Sequence, residues 1–213
     1  EEVDRNPSAA RYLPRRENYE YIDGAWVKGL LVEPDGATNL VTYSNDFTDA
    51  SWGKVLTGTA SVPVVTADYA VSPDGTSNAS RVVFDASGAT SSDRSLLRIN
   101  ETTASQRHLS LWIKSNTGGS QTLSFHDGVA TDVITATTDW QRFDVGIPSG
   151  KTYEGLEVRG DKETSADVLL YGAQFEAGYA PTSYIPTSGS AVSRGSETTT
   201  IPASVMDSLG LFN

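Results

Sequence analysis

His108-Leu109-Ser110-Leu111-Trp112-Ile113-Lys114-Ser115 alternates apolar and polar residues without a break. Leu109, Leu111 and Ile113 fall on one side of an extended chain; Ser110, Trp112 and Lys114 fall on the other. A period of two marks a half-buried strand. Gln121-Thr122-Leu123-Ser124-Phe125-His126 repeats the pattern with Leu123 and Phe125 inward. Residues 140–147 repeat it again with Phe143, Val145 and Ile147 inward. Outward from this middle, 29–34, 38–47, 60–66, 81–85, 96–99, 154–159 and 167–175 read as further short strands. Ser72-Pro73-Asp74-Gly75-Thr76 is a turn between two of them. No run reads as a helix longer than a turn, except 203–209. The sum is an all-β chain of about nine to ten strands, which suits a two-sheet jelly-roll β-sandwich.

With 213 residues the chain is one β domain with extensions. Its net charge of −11 argues against general nucleic-acid binding, which needs a cationic footprint. No run approaches the roughly 18 apolar residues of a spanning helix, so no membrane insertion is expected. There is no cysteine, hence no disulfide and no thiolate chemistry, and the two histidines show no zinc-ligand spacing. A cysteine-free, Thr/Ser/Gly-rich β chain suits an extracellular or virion setting. The start at Glu1-Glu2 and the close at Asn213 read as a module of a longer polypeptide.

Residues 1–28 are polar, with Arg11, Arg15 and Arg16 near Glu17 and Glu20 and aromatics interleaved. They read as an irregular arm that packs on its own domain or on a neighbouring subunit. Ile22-Asp23-Gly24-Ala25 carries the Asp-Gly signal of a hairpin turn.

Four stretches together resemble a known group. They are GLLVEP (29–34) running on to ATNLVTYSNDF (37–47) and DASW (49–52); PDGTSNASRVVF (73–84); TTDWQRFDV (137–145); and GAQFEAG (172–178) with PTSYIPT (181–187) and SAVSR (190–194). In this order they resemble a segment of bacteriophage tail-fibre and head-spike proteins that forms a carbohydrate-binding-module-like β-jelly-roll. The resemblance covers roughly 29–194, leaving 1–28 as the arm and 195–213 as a linker towards a following module. It implies a non-catalytic glycan-binding, adhesion module on a virion surface, recognising a host-surface polysaccharide. It also implies other virion proteins as partners and a homo-oligomer, possibly a trimer, in which 1–28 and 195–213 join the copies. Modules of this kind often hold a structural Ca²⁺ between the first and last strands. Asn45 and Asp46 are the first-strand candidates, with Asp49 beside them; Gly172-Ala173 stands where the last-strand acidic ligands would be. A simple Asx-turn at Asn45 and Asp46 is the alternative.

The residues themselves show no catalytic pattern. No Gly-x-Ser-x-Gly elbow is present. A glycosidase needs two facing carboxylates, but among 27 acidic residues Asp127, Asp132, Asp144 and Glu157 read as solvated surface groups. The outward strand positions carry more information. Arg98, His108, Trp112, Lys114, His126, Arg142 and Arg159 are cations or rings in an acidic chain. An aromatic ring stacks on sugar C–H groups and charged side chains bond hydroxyls or carboxylates. Trp112, Lys114, His126, Arg98 and Arg142 are therefore the expected ligand-binding residues, for an anionic or decorated glycan. Arg142 bracing a neighbouring loop and Trp112 or Trp140 filling the core rim are the structural alternatives, and the strands could divide the set between two surfaces. A purely structural virion spacer or capsid decoration, and an accessory carbohydrate-binding module of a polysaccharide-degrading enzyme, are the alternative functions.

Overall fold

The computed structural model describes residues 15–22, 25–31, 33, 35–99, 105–126, 131–151 and 154–196. They form fourteen strands and no helix. In chain order these are β1 (Arg15–Ile22), β2 (Ala25–Leu31), β3 (Ala37–Asn39), β4 (Trp52–Thr57), β5 (Ser61–Ala70), β6 (Ala79–Asp85) and β7 (Arg94–Ile99). They continue with β8 (Arg107–Ser115), β9 (Gln121–His126), β10 (Thr131–Ala136), β11 (Gln141–Ile147), β12 (Glu154–Arg159), β13 (Ser165–Ala177) and β14 (Val192–Arg194).

Two five-stranded antiparallel sheets make the jelly-roll sandwich. The first runs β10-β9-β12-β7-β4 and the second β11-β8-β13-β6-β5. Within these two sheets only β5–β6 and β9–β10 are consecutive strands that pair; every other step from β4 to β13 crosses between the sheets. The alternation read from the sequence supplies the core. Leu97, Ile99, Leu123, Phe125, Leu156 and Val158 enter it from the first sheet. Val82, Phe84, Leu109, Leu111, Ile113, Val168, Leu170 and Phe175 enter it from the second. Burying a side chain of this size contributes about 1.5–3 kcal/mol.

β13 is buried from Ala166 to Glu176 with a single exception at Asp167, because both of its faces are covered. Its alternation breaks where the register shifts between Tyr171 and Gln174. Gly172 occupies that bulge at φ +65°, and a Cβ there would meet the Trp112 ring at 2.9 Å. Both the backbone conformation and the close approach favour glycine.

The opening and closing stretches are stitched to each other. β3 pairs with β14, placing Asn39 opposite Val192. Asn39 is fully buried. Its amide donates to the carbonyls of Ala173 (3.0 Å) and Ile185 (2.8 Å), and its oxygen accepts from the backbone N–H of Val41 (3.1 Å) and Phe175 (3.0 Å). Glu33 accepts from Ser183 N–H at 2.8 Å and Ser183 Oγ at 2.6 Å. Glu176 and Gln174 fasten the same closing segment. Glu176 accepts from Thr182 N–H (2.8 Å), Thr182 Oγ1 (2.7 Å) and Gln174 Nε2 (2.6 Å), while Gln174 Oε1 accepts from Ile185 N–H (2.6 Å). Residues 178–187 thereby lie over the outer face of the second sheet.

The expected irregular arm is in part regular. β1 and β2 pair antiparallel with Ile22 opposite Ala25, so the Asp-Gly signal opens a two-stranded ribbon, and β2 runs across position 29. Asp23 and Gly24, between the two strands, lie outside the described residues. The 203–209 run and residues 197–213 lie outside the described residues.

Candidate functional site

The sheet crossings divide the residues singled out from the sequence. Trp112 and Lys114 (β8) and Arg142 (β11) lie on the outer face of the second sheet, with His108. Arg98 (β7) and His126 (β9) lie on the outer face of the first sheet, with Arg159 (β12). No single surface gathers them all.

On the second sheet, Trp112 is built into the fold. Its ring centroid lies 5.8 Å from Tyr171 and 5.7 Å from Tyr184, which are 5.5 Å from each other. Arg142 stands opposite Trp112 across the strand pair and stacks on its ring, 4.7 Å from the centroid. The Arg142 guanidinium donates to Thr182 O and to Ser110 Oγ, both at 2.8 Å, so it braces the closing segment. Tyr171 donates to Asp74 Oδ2 at 3.0 Å. Burial raises the Asp74 carboxyl, but hydrogen bonds from Ser72, Thr76 and Asn78 outweigh it and hold the group down at about 2. The PDGT turn is therefore a brace for β13. Lys114 is half-buried on this face, opposite Leu169.

The first sheet presents a different outer face. Antiparallel register lays out three rows. One is Gly53–Arg98–Gly155–His126; the next is Val55–Leu96–Glu157–Ser124; the third places Thr57 and Arg159 on either side of Arg94. Glu157 occupies the middle row and is fully buried, with Leu96 and Ser124 at 4% and 2% exposure beside it. Among the described residues, neither carboxylate oxygen of Glu157 has a hydrogen-bond partner. Its nearest charges stand just beyond bonding distance: Arg94 Nη1 at 3.6 Å and His126 Nδ1 at 3.8 Å from Oε2. Arg94 Nη1 and His126 Nε2 are 3.4 Å apart. Burial pushes the Glu157 carboxyl above the ordinary carboxylate range, against the pull of Arg94 and Arg159. Arg159 is clamped to Asp161 through Nε–Oδ1 at 2.5 Å and Nη2–Oδ2 at 2.8 Å.

Two expectations need correction here. His126, taken as an exposed-face residue, is 3% exposed and packed against Glu157. Glu157, taken as a solvated carboxylate, is the buried centre of the face. The sequence carried no signal of this burial: between the core residues Leu156 and Val158, Glu157 reads as an outward position. Of the other carboxylates, Asp132 and Asp144 are exposed, and Asp127 lies outside the described residues.

The expected calcium residues do not fit a metal site. Asn45 Oδ1 already accepts from Gly172 N–H (2.8 Å) and Tyr184 OH (3.0 Å), which uses both of its lone pairs. Asp46 Oδ1 accepts from Thr48 N–H at 3.0 Å and from the Thr48 hydroxyl, and Asp49 Oδ1 accepts from Ser51 N–H at 2.8 Å. Asp46 and Asp49 make Asx-turns, while Asn45 ties the opening stretch to the β13 bulge and to Tyr184. Among the described residues no three His, Asp or Glu side chains gather as metal ligands.

No protein-family model matches the chain, and no curated protein matches it. Solved structures give matches. A family 11 carbohydrate-binding module from Clostridium thermocellum, in complex with a beta-1,3-1,4-mixed-linked tetrasaccharide, is 13% identical with a TM-score of 0.46, covering 68% of this chain and 96% of that one. The xylan-binding domain from Paenibacillus barcinonensis Xyn10C is 14% identical with a TM-score of 0.39, covering 65% and 90%. An exo-beta-agarase is 11% identical with a TM-score of 0.46, and the match spans 26% of its length. At these levels the likenesses assign neither ligand nor activity, and none speaks for a phage origin. What the chain binds has to follow from its own residues.

Proposed function

We propose that the chain is a non-catalytic glycan-binding module and that the outer face of the β10-β9-β12-β7-β4 sheet is its binding surface. One observation carries this reading. A fully buried carboxylate, Glu157, has no hydrogen bond, yet Arg94 and His126 stand 3.6 and 3.8 Å from it. A buried polar group left unbonded costs about 1–3 kcal/mol, more when charged. Arg94, whose side chain is 25% exposed, is the member of this set that reaches the surface, where a ligand hydroxyl can meet it. The opposite sheet's outer face supports the assignment by contrast, since Trp112, Tyr171 and Arg142 there are occupied by the closing segment.

The finer reading is adhesion: a module of a phage tail fibre or head spike that grips host-surface polysaccharide. The order of the four sequence stretches supports it. Carried on a virion surface in several copies, such as a trimer, and seated among other virion proteins, a weak single site would hold through avidity. An accessory module of a polysaccharide-degrading enzyme would use the same face. A glycan-array and bacterial-surface binding screen tests the proposal. Saturable binding that Arg94→Ala abolishes and Trp112→Ala spares, measured on folded protein, is the expected result. Binding to no glycan or cell by a folded sample would overturn it in favour of a spacer.

A further inference from the structure

We infer that the exposed apolar face of β5 is a docking surface for a second copy of this chain, with the two copies related by a two-fold axis near Thr66. Seven large apolar side chains are exposed among the described residues. Five of them, Leu56, Val62, Val64, Tyr69 and Val71, fall within the single stretch 56–71. That stretch makes one side of the sandwich, because β4 and β5 are the outermost strands of their sheets and lie against each other. Of the strands that bound the opposite side, β10 and β11, only β10 contributes to the seven, through Val133. Exposed apolar side chains scattered singly need no explanation; a cluster on one strand marks a contact surface.

The build of β5 decides how a partner meets it. A sheet edge normally invites another strand to pair with it. β5 resists that. Pro63 has no N–H to donate, and the register shifts between Ser61 and Val64 and again between Thr66 and Ala70, where Asp68 has φ +51°. What the strand offers is side chains. Pro63 is buried and Val65 packs on the core, so Val64 and Thr66 face outward, opposite Val83 and Arg81. Tyr69 stacks on the Arg81 guanidinium at 5.2 Å, and Arg81 donates to Asp167 at 2.9 and 2.6 Å. The ring is therefore fixed before a partner arrives, which lowers the ordering cost of binding.

The order of residues selects the occupant. Val62 and Val64 precede Thr66; Tyr69 and Val71 follow it, with one register shift on each side. A two-fold axis at Thr66 lays the valine pair of one copy on the Tyr69–Val71 pair of the other, twice over. One patch then serves as both halves of an isologous contact. A saccharide would gain little here, since valines form no hydrogen bonds and Arg81 and Asp167 are bonded to each other. The patch is at the small end for a specific interface, so the pair is weak and reversible, with a dissociation constant on the order of tens of micromolar. Asp68 lies within the face and the chain carries a net charge of −11. The copies therefore repel, and salt strengthens the pair by screening that repulsion.

The test is analytical ultracentrifugation of the full chain across a range of concentrations spanning that dissociation constant, at about 0.05 and about 0.5 M salt. The expected result is a monomer–dimer equilibrium that tightens at the higher salt. Val64→Glu, at a position 62% exposed, should weaken it by about tenfold or more, while Val133→Glu, 51% exposed on the far side of the sandwich, leaves it unchanged. Because the chain has no cysteine, Thr66→Cys introduces a single thiol. A short bifunctional thiol reagent should trap Thr66→Cys as a covalent dimer and leave Val133→Cys monomeric. Should Val64→Glu fail to fold, Val71→Glu, beyond the end of β5, makes the same test. A chain that stays monomeric throughout, a dimer indifferent to Val64→Glu and Val71→Glu, or a trimer would each overturn the inference. None of these outcomes bears on glycan binding by the opposite sheet.

Discussion

Trp112→Ala separates a packing residue from a sugar platform. Truncating a buried tryptophan to alanine costs about 3–5 kcal/mol. Trp112 is only half-buried, which takes the transfer and cavity contribution below that range, to about 2 kcal/mol. It also loses two ring contacts, to Tyr171 at 5.8 Å and Tyr184 at 5.7 Å, and the Arg142 stack at 4.7 Å. Such ring pairs add about 0.5–1.5 kcal/mol beyond burial. Arg142 keeps its bonds to Thr182 and Ser110, so part of the brace survives. The expected loss is about 3 kcal/mol. At about 2–4 °C per kcal/mol for a domain of this size, the thermal midpoint should fall by about 6–12 °C. Urea unfolding followed by circular dichroism gives the free energy. Glycan affinity, measured where the variant is still folded, should stay within about twofold, far below the tenfold that 1.4 kcal/mol of lost contact would produce. A variant that loses less than about 1 kcal/mol of stability yet no longer binds glycan would refute this reasoning and return Trp112 to the site.

Two further outcomes follow from the braces at the turn and the first loop. Asp74 is held at about 2 in the folded chain against an ordinary value of 3.8. A depressed pKa contributes stability that is present above the unfolded value and lost as pH falls from there through the folded one. Acid titration of the thermal midpoint should therefore show a decline between about pH 4 and pH 2 that is shallower in Asp74→Asn. For the first loop, Asn45 accepts from Gly172 and Tyr184, and Asp46 and Asp49 each accept from the N–H two residues on. EDTA should leave the thermal midpoint unchanged; a fall of several degrees, restored by Ca²⁺, would show that these turns yield to a metal.

The strands were legible because alternation is a local property. Leu109, Leu111 and Ile113 need only an extended backbone to share a side, and they do. The resemblance of the opening and closing stretches also has a physical basis. Glu33, Asn39 and Asn45 make their bonds to Ser183, Ile185, Ala173 and Tyr184 far along the chain, so each stretch is meaningful only with the other. The site was not legible for the converse reason. Alternation assigns a side but not a sheet, so Trp112 and Arg98 looked equivalent although the crossings put them on opposite outer faces. Nor does it report burial on an outer face. Glu157 and Ser124 point away from the core and are nonetheless buried, which follows only once β9, β12 and β7 are set side by side.

The central claim is that ligand is bound on the outer face of the first sheet, around Glu157. Titrating a nitrogen-labelled sample with the glycan that the screen identifies, and mapping the backbone amide shifts, tests it most directly. The account predicts saturable shifts concentrated in β7, β9 and β12, at Arg94 to Arg98, Ser124 to His126 and Gly155 to Arg159. Positions Trp112, Tyr171 and Tyr184 should remain unperturbed. Shifts centred on those three residues, with β7 and β12 silent, would contradict it.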